Sequence, residues 1–108
     1  MAKKRISKKT EKKIDGFISS LKKDGTPITS LYLFGSHAKG TAHEWSDIDL
    51  AVISPAFETR IKDPLNYLWG KRMELKEFAI EPVGFSPKDF KEGGMLINEI
   101  KRHGIRIL

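Results

Sequence analysis

The chain has 108 residues, 39% of them hydrophobic and 31% charged, with no cysteine and a formal net charge of +6. That length suits a single domain over residues 1–108 and leaves little room for a second one to grip a substrate. Disulfides and thiolate metal sites are excluded, and no apolar run approaches the about 20 residues that cross a bilayer. The basic N-terminus is not followed by an apolar signal core, so the cytoplasm is the expected location and no membrane partner is expected.

The positive charge is concentrated at one end. Lys3, Lys4, Arg5, Lys8, Lys9, Lys12 and Lys13 face only Glu11 in the first 13 residues, and the remainder is near neutral. A solvated basic arm and helix over about 1–23 is the expected result. No aromatic side chains are interleaved there to stack on bases, which argues against nucleic acid as a partner.

Ser7 to Lys23 reads as a helix, because Ile14, Phe17, Ile18 and Leu21 recur at 3.6-residue spacing opposite the lysines. Asp24-Gly25-Thr26-Pro27 ends it. Ile28 to Phe34 is a strand candidate stopped by Gly35, followed by a short helix or turn from Ser36 to Gly40 and a polar connection to Ser46. Ile48 to Ser54 is a second strand, stopped by Pro55. Asp63-Pro64 has the form of an N-cap with proline at N1, opening a helix to about Phe78. Leu65, Leu68, Trp69, Arg72 and Leu75 lie roughly along one side of that helix. Ala79 to Phe85 is a third strand, and its Pro82 argues for an edge position or a strand interruption. Ser86-Pro87 starts a helical turn broken by Gly93-Gly94. Met95 to His103 is a last helix, and Ile105 to Ile107 a terminal strand. Alternating helices and strands predict an α/β (α+β) fold with one small mixed sheet flanked by helices.

The chemistry concentrates between Leu33 and Leu50. A Gly35-Ser36 turn follows the first strand, and after ten intervening residues Asp47 and Asp49 open the second. Alternate strand residues share a face, so both carboxylates point one way while Ile48 and Leu50 point into the core. Paired carboxylates repel and lose hydration on burial, and a divalent cation relieves both costs. A Gly-Ser turn feeding a helix start offers backbone N–H groups and a hydroxyl to phosphate. Trp45, in the connection, is a candidate to stack on a base or to anchor the loop. His37 and His43 lack a third imidazole or thiol at ligand spacing, so phosphate contact or a plain loop role is expected of them.

The ordered combination of Leu33-Phe34-Gly35-Ser36 with Asp47-Ile48-Asp49-Leu50-Ala51-Val52 resembles the minimal nucleotidyltransferases of the polymerase-β-like superfamily. Ala38-Lys39-Gly40 and Ser46 agree with the pattern. The resemblance implies a palm-like nucleotidyltransferase fold, with Gly35, Ser36 and Lys39 as nucleotide-binding residues. It makes Asp47 and Asp49 catalytic ligands of one or two Mg²⁺ ions. The third carboxylate of such enzymes lies on a later strand, where Glu81 stands. ATP is the implied substrate and AMP the implied cargo. The implied partner is a HEPN-domain protein in a hetero-oligomer, with this chain as an adenylylating antitoxin that modifies a tyrosine of the toxin. Two departures stand out: His37 where the class often has Arg, and Glu at 81 where Asp is commoner. They keep open the alternative of a nucleotide-binding module that neutralises its partner by complex formation.

Overall fold

The computed structural model describes residues 6–42 and 47–108, so His43, Trp45 and Ser46 lie outside the described residues. Its elements are α1 (Lys8–Lys23), β1 (Ser30–Phe34), α2 (Ser36–Lys39), β2 (Ile48–Ile53), α3 (Ala56–Thr59), α4 (Pro64–Leu75), β3 (Ile80–Phe85), α5 (Pro87–Glu92), α6 (Met95–His103) and β4 (Ile105–Arg106). The strands form one mixed sheet in the order β3-β2-β1-β4. β1 pairs antiparallel with both β2 and β4, and β2 runs parallel to β3.

Local chemistry explains most boundaries. The Ser7 hydroxyl accepts from the Thr10 N–H at 3.1 Å and starts α1. Asp63 does the same for the Asn66 N–H at the head of α4, with Pro64 at the first position. Ser86 caps α5 through the Asp89 N–H. Each such cap is worth about 1 kcal/mol.

The two faces of the sheet are filled differently. One face carries Leu31, Leu33, Ile48, Leu50, Val52 and Ile80 against Ile14, Phe17 and Leu21 of α1 and Leu68 of α4, all buried. Each of these large side chains contributes roughly 1.5–3 kcal/mol by leaving water. The other face gathers Ala51, Ile53 and Ile100 with the half-buried Tyr32, Phe34, Val83, Phe85 and Phe90. Gly84 is required by the first layer. A Cβ there would meet Phe57 at 2.7 Å and Leu68 at 2.9 Å, so the close approach of α4 to β3 depends on its absence.

Several expectations are corrected. β1 begins at Ser30 rather than Ile28, although the Thr29 N–H already donates to Ile53 O at 2.8 Å. Pro55 does end β2, but it also sits as N-cap of the unexpected short helix α3. α4 stops at Leu75 because Lys76 turns left-handed (φ 56°) and the Glu77 N–H returns to Arg72 O. Its inward face is Pro64, Tyr67, Leu68 and Lys71, whereas Leu65 is 53% exposed and Leu75 37%. Tyr67 and Lys71 are held there by polar contacts to the end of α1. Tyr67 Oη donates to Asp24 at 2.6 Å and hydrogen-bonds Thr26 at 2.7 Å, and Lys71 Nζ pairs with Asp24 at 2.6 Å. The edge position expected from Pro82 is found: β3 is an outer strand, and its Pro82 carbonyl accepts from Trp69 Nε1 at 3.0 Å.

Candidate active site

The site forms where β1 ends and where β2 and β3 begin. Register fixes it: Phe34 lies opposite Asp49, and Asp49 lies opposite Glu81. Directly paired residues share a sheet face. Asp49 and Glu81, more than thirty residues apart in the chain, are therefore neighbours on the second face. Asp47, one residue before β2, hydrogen-bonds Glu81 side chain to side chain. Asp47 is exposed, and Asp49 and Glu81 are half-buried.

Asp49 and Glu81 resist ionisation. Burial pushes Asp49 above the usual carboxylate range, the charge of Asp47 adds to it, and His37 offsets part. Glu81 is pushed up by burial first, then by the charge of Asp47, the Asp47 hydrogen bond and the charge of Asp49, while Arg72 pulls it down.

Gly35 abuts this cluster. Its backbone is left-handed (φ 74°), and a Cβ there would run into the Asp49 carboxylate. Glycine was expected at 35 for close approach to a triphosphate; the structure adds that Asp49 needs the same space. From this pivot α2 starts at Ser36, and the Gly35 carbonyl accepts from the Ala38 and Lys39 N–H groups, both at 3.1 Å. Gly35, Ser36, Asp49 and Glu81 are thus gathered at one end of the sheet. Lys39, at the far end of α2, pairs with Glu99 of α6 at 3.4 Å, both about half exposed.

Hard oxygen donors crowded into mutual repulsion, next to a glycine whose missing Cβ keeps them room, suit a hard divalent cation. Among the described residues, no group of three or more His, Cys, Asp and Glu side chains forms a ready-made metal cage. That is compatible with Mg²⁺, which prefers one or two carboxylates completed by water and substrate phosphate. Two neighbours of the cluster escaped the sequence reading. His37 was weighed as a phosphate contact or a plain loop residue, yet it acts on Asp49. Arg72 was placed only on a helix side, yet it acts on Glu81, and nothing in the linear spacing of 72 and 81 signals this.

The model of the nucleotidyltransferase domain family matches residues 11–107. This chain belongs to that family. The chain is 33% identical over 84 residues to the protein named "Putative protein adenylyltransferase MJ1305" of Methanocaldococcus jannaschii. The match takes in 69% of this chain but 57% of the relative, so the chain spans little more than half of that protein's length. Solved structures share the chain's fold. A toxin–antitoxin crystal structure with AMP-PNP aligns over 86% of this chain and 71% of its own, with TM-score 0.53 and 24% identity. A mutant of the toxin–antitoxin MntA-HpeT aligns over 87% and 71%, with TM-score 0.55 and 20% identity. A Sulfolobus solfataricus structure described as a nucleotidyltransferase aligns over 88% and 76%, with TM-score 0.54 and 13% identity. The small mixed sheet with flanking helices expected from sequence is therefore the nucleotidyltransferase fold.

Proposed function

We propose that this nucleotidyltransferase transfers AMP from ATP to a hydroxyl of a partner protein, most specifically a tyrosine of a HEPN-type toxin, acting in the cytoplasm as its adenylylating antitoxin. The observation that carries the chemistry is the meeting of Asp49, Glu81 and Asp47 beside the Gly35-Ser36 turn. The acceptor is argued from the adenylyltransferase name of the curated relative and from the toxin–antitoxin neighbours.

In this reading Asp47, Asp49 and Glu81 hold one or two Mg²⁺ ions. Bound Mg²⁺ neutralises triphosphate charge and lowers the pKa of the attacking hydroxyl. Ser36 donates its hydroxyl to the β- or γ-phosphate, and Gly35 lets the backbone approach it. Lys39 adds positive charge once it leaves Glu99, a half-exposed pair that costs little to break. The acceptor hydroxyl attacks the α-phosphorus in line, the bond to the bridging oxygen breaks, and pyrophosphate departs. The hydroxyl proton passes to the carboxylate cluster or to water.

Purified chain, co-expressed partner, Mg²⁺ and labelled ATP give the test. Label should appear on the partner with the wild type and disappear with Asp47→Asn or Asp49→Asn. Neutralisation of the partner that survives both substitutions, with no label transferred, refutes the reading. The masking module then replaces it, and Mg-ATP binding without turnover is its mark.

A further inference from the structure

The outer edge of β3 is closed by one turn of α4, and the closure brackets Glu81. Trp69 and Arg72 are three residues apart and share a helix face. Trp69 Nε1 donates to the carbonyl of Pro82, immediately after Glu81, at 3.0 Å. Arg72 Nη2 donates to the carbonyl of Phe78, three residues before Glu81, at 2.6 Å. The guanidinium carbon lies over aromatic rings, 4.3 Å from the Trp69 centroid and 5.8 Å from that of Phe78. Its Nε is buried with no acceptor among the described residues. A long cationic side chain locked in this way, with a donor left over, costs more than surface packing would justify.

We propose that Arg72 is a positioning residue for Glu81: lying over Trp69 and Phe78, it anchors the turn that leads into β3 while Trp69 holds the strand just after that carboxylate, and together they keep Glu81 beside Asp49. The consequence for rate rests on the transferase reading above; the hold on the strand does not. Pro82 explains the form of the clip. Its nitrogen and carbonyl face the outer edge, away from β2, so no ladder bond is lost and the carbonyl is left for Trp69 to bond. The positive charge of Arg72 also opposes the repulsion that Asp47 and Asp49 exert on Glu81. Arginine suits this position better than lysine, because a planar guanidinium stacks and donates at once.

Arg72→Met and Arg72→Lys test it by two measurements on the intact chain. In Arg72→Met, amide hydrogen exchange at Ile80 and Glu81 should quicken at least tenfold while β1 amides stay protected. Its kcat for AMP transfer should fall at least tenfold with KM for ATP within twofold of wild type. Arg72→Lys, which keeps a cationic donor for the Phe78 carbonyl, should recover most of that rate. Unchanged exchange at Ile80 and Glu81 overturns the proposal, as does exchange that quickens equally across the sheet. A loss confined to KM overturns it too. A wild-type chain that transfers no nucleotide refutes the transferase reading instead, and the exchange measurement still decides whether Arg72 holds the strand.

Discussion

Glu81 and Asp49 carry charge against the pull of their surroundings, and this sets a pH dependence. Both are raised above ordinary carboxylate values in the fold. Between the ordinary and the raised value the folded chain binds more protons than the unfolded one, so stability falls as pH rises through that window. Metal-free Glu81→Gln should therefore resist urea better than wild type at neutral pH. The advantage should shrink as pH drops into the ordinary carboxylate range, and urea titrations at several pH values check it. Gly35→Ala acts at the same place in the opposite sense. It forces a Cβ into left-handed backbone, worth about 1–2 kcal/mol, and displaces the Asp49 carboxylate. The expected result is a less stable chain with nucleotidyl transfer as low as in Asp49→Asn, measured by denaturation and labelled-ATP assay.

Among the elements, α4 shows how far a sequence can be read and where it stops. Its start was legible because Asp63 and Pro64 are local chemistry. Its inward face was legible only in part: Leu68 and the aromatic Tyr67 suit a buried side, whereas Lys71 points inward for a partner more than forty residues away at Asp24. Hydrophobic spacing alone favoured Leu65 and Leu75, which are exposed. Tyr67→Phe removes both hydroxyl contacts between α1 and α4 and should cost about 1 kcal/mol, read as a lower urea midpoint with an unchanged slope. α5 and α6 were legible for the same reason as the start of α4, since Ser86-Pro87 and Gly93-Gly94 mark them without help from afar. α3 was missed because Pro55, a true stop for β2, also serves to begin a helix.

At the scale of the whole molecule, the Asp47-x-Asp49 pair and the Gly35-Ser36 turn could be found by eye because each is contiguous. Glu81 could be named only as a strand acid. The parallel register that sets it opposite Asp49 is a property of the assembled sheet, as is the Trp69–Arg72 clip behind it. The same assembly predicts a coupled ligand response. Mg²⁺ and ATP together should raise stability by about 2.7 kcal/mol at a hundred times the dissociation constant. ATP alone should do much less, because the carboxylates repel its phosphates. Thermal melts with ATP, with and without Mg²⁺, test this, and equal shifts in the two would contradict it.

The contact between Gly35 and Asp49 has a genetic consequence. An alanine at 35 can be accommodated only by shortening or turning away its neighbour at 49, and either repair discards a carboxylate the site depends on. A second-site change at 49 therefore relieves the clash without restoring activity. Selection for revertants should return glycine at 35 itself, which makes the substitution a loss-of-function allele resistant to intragenic suppression.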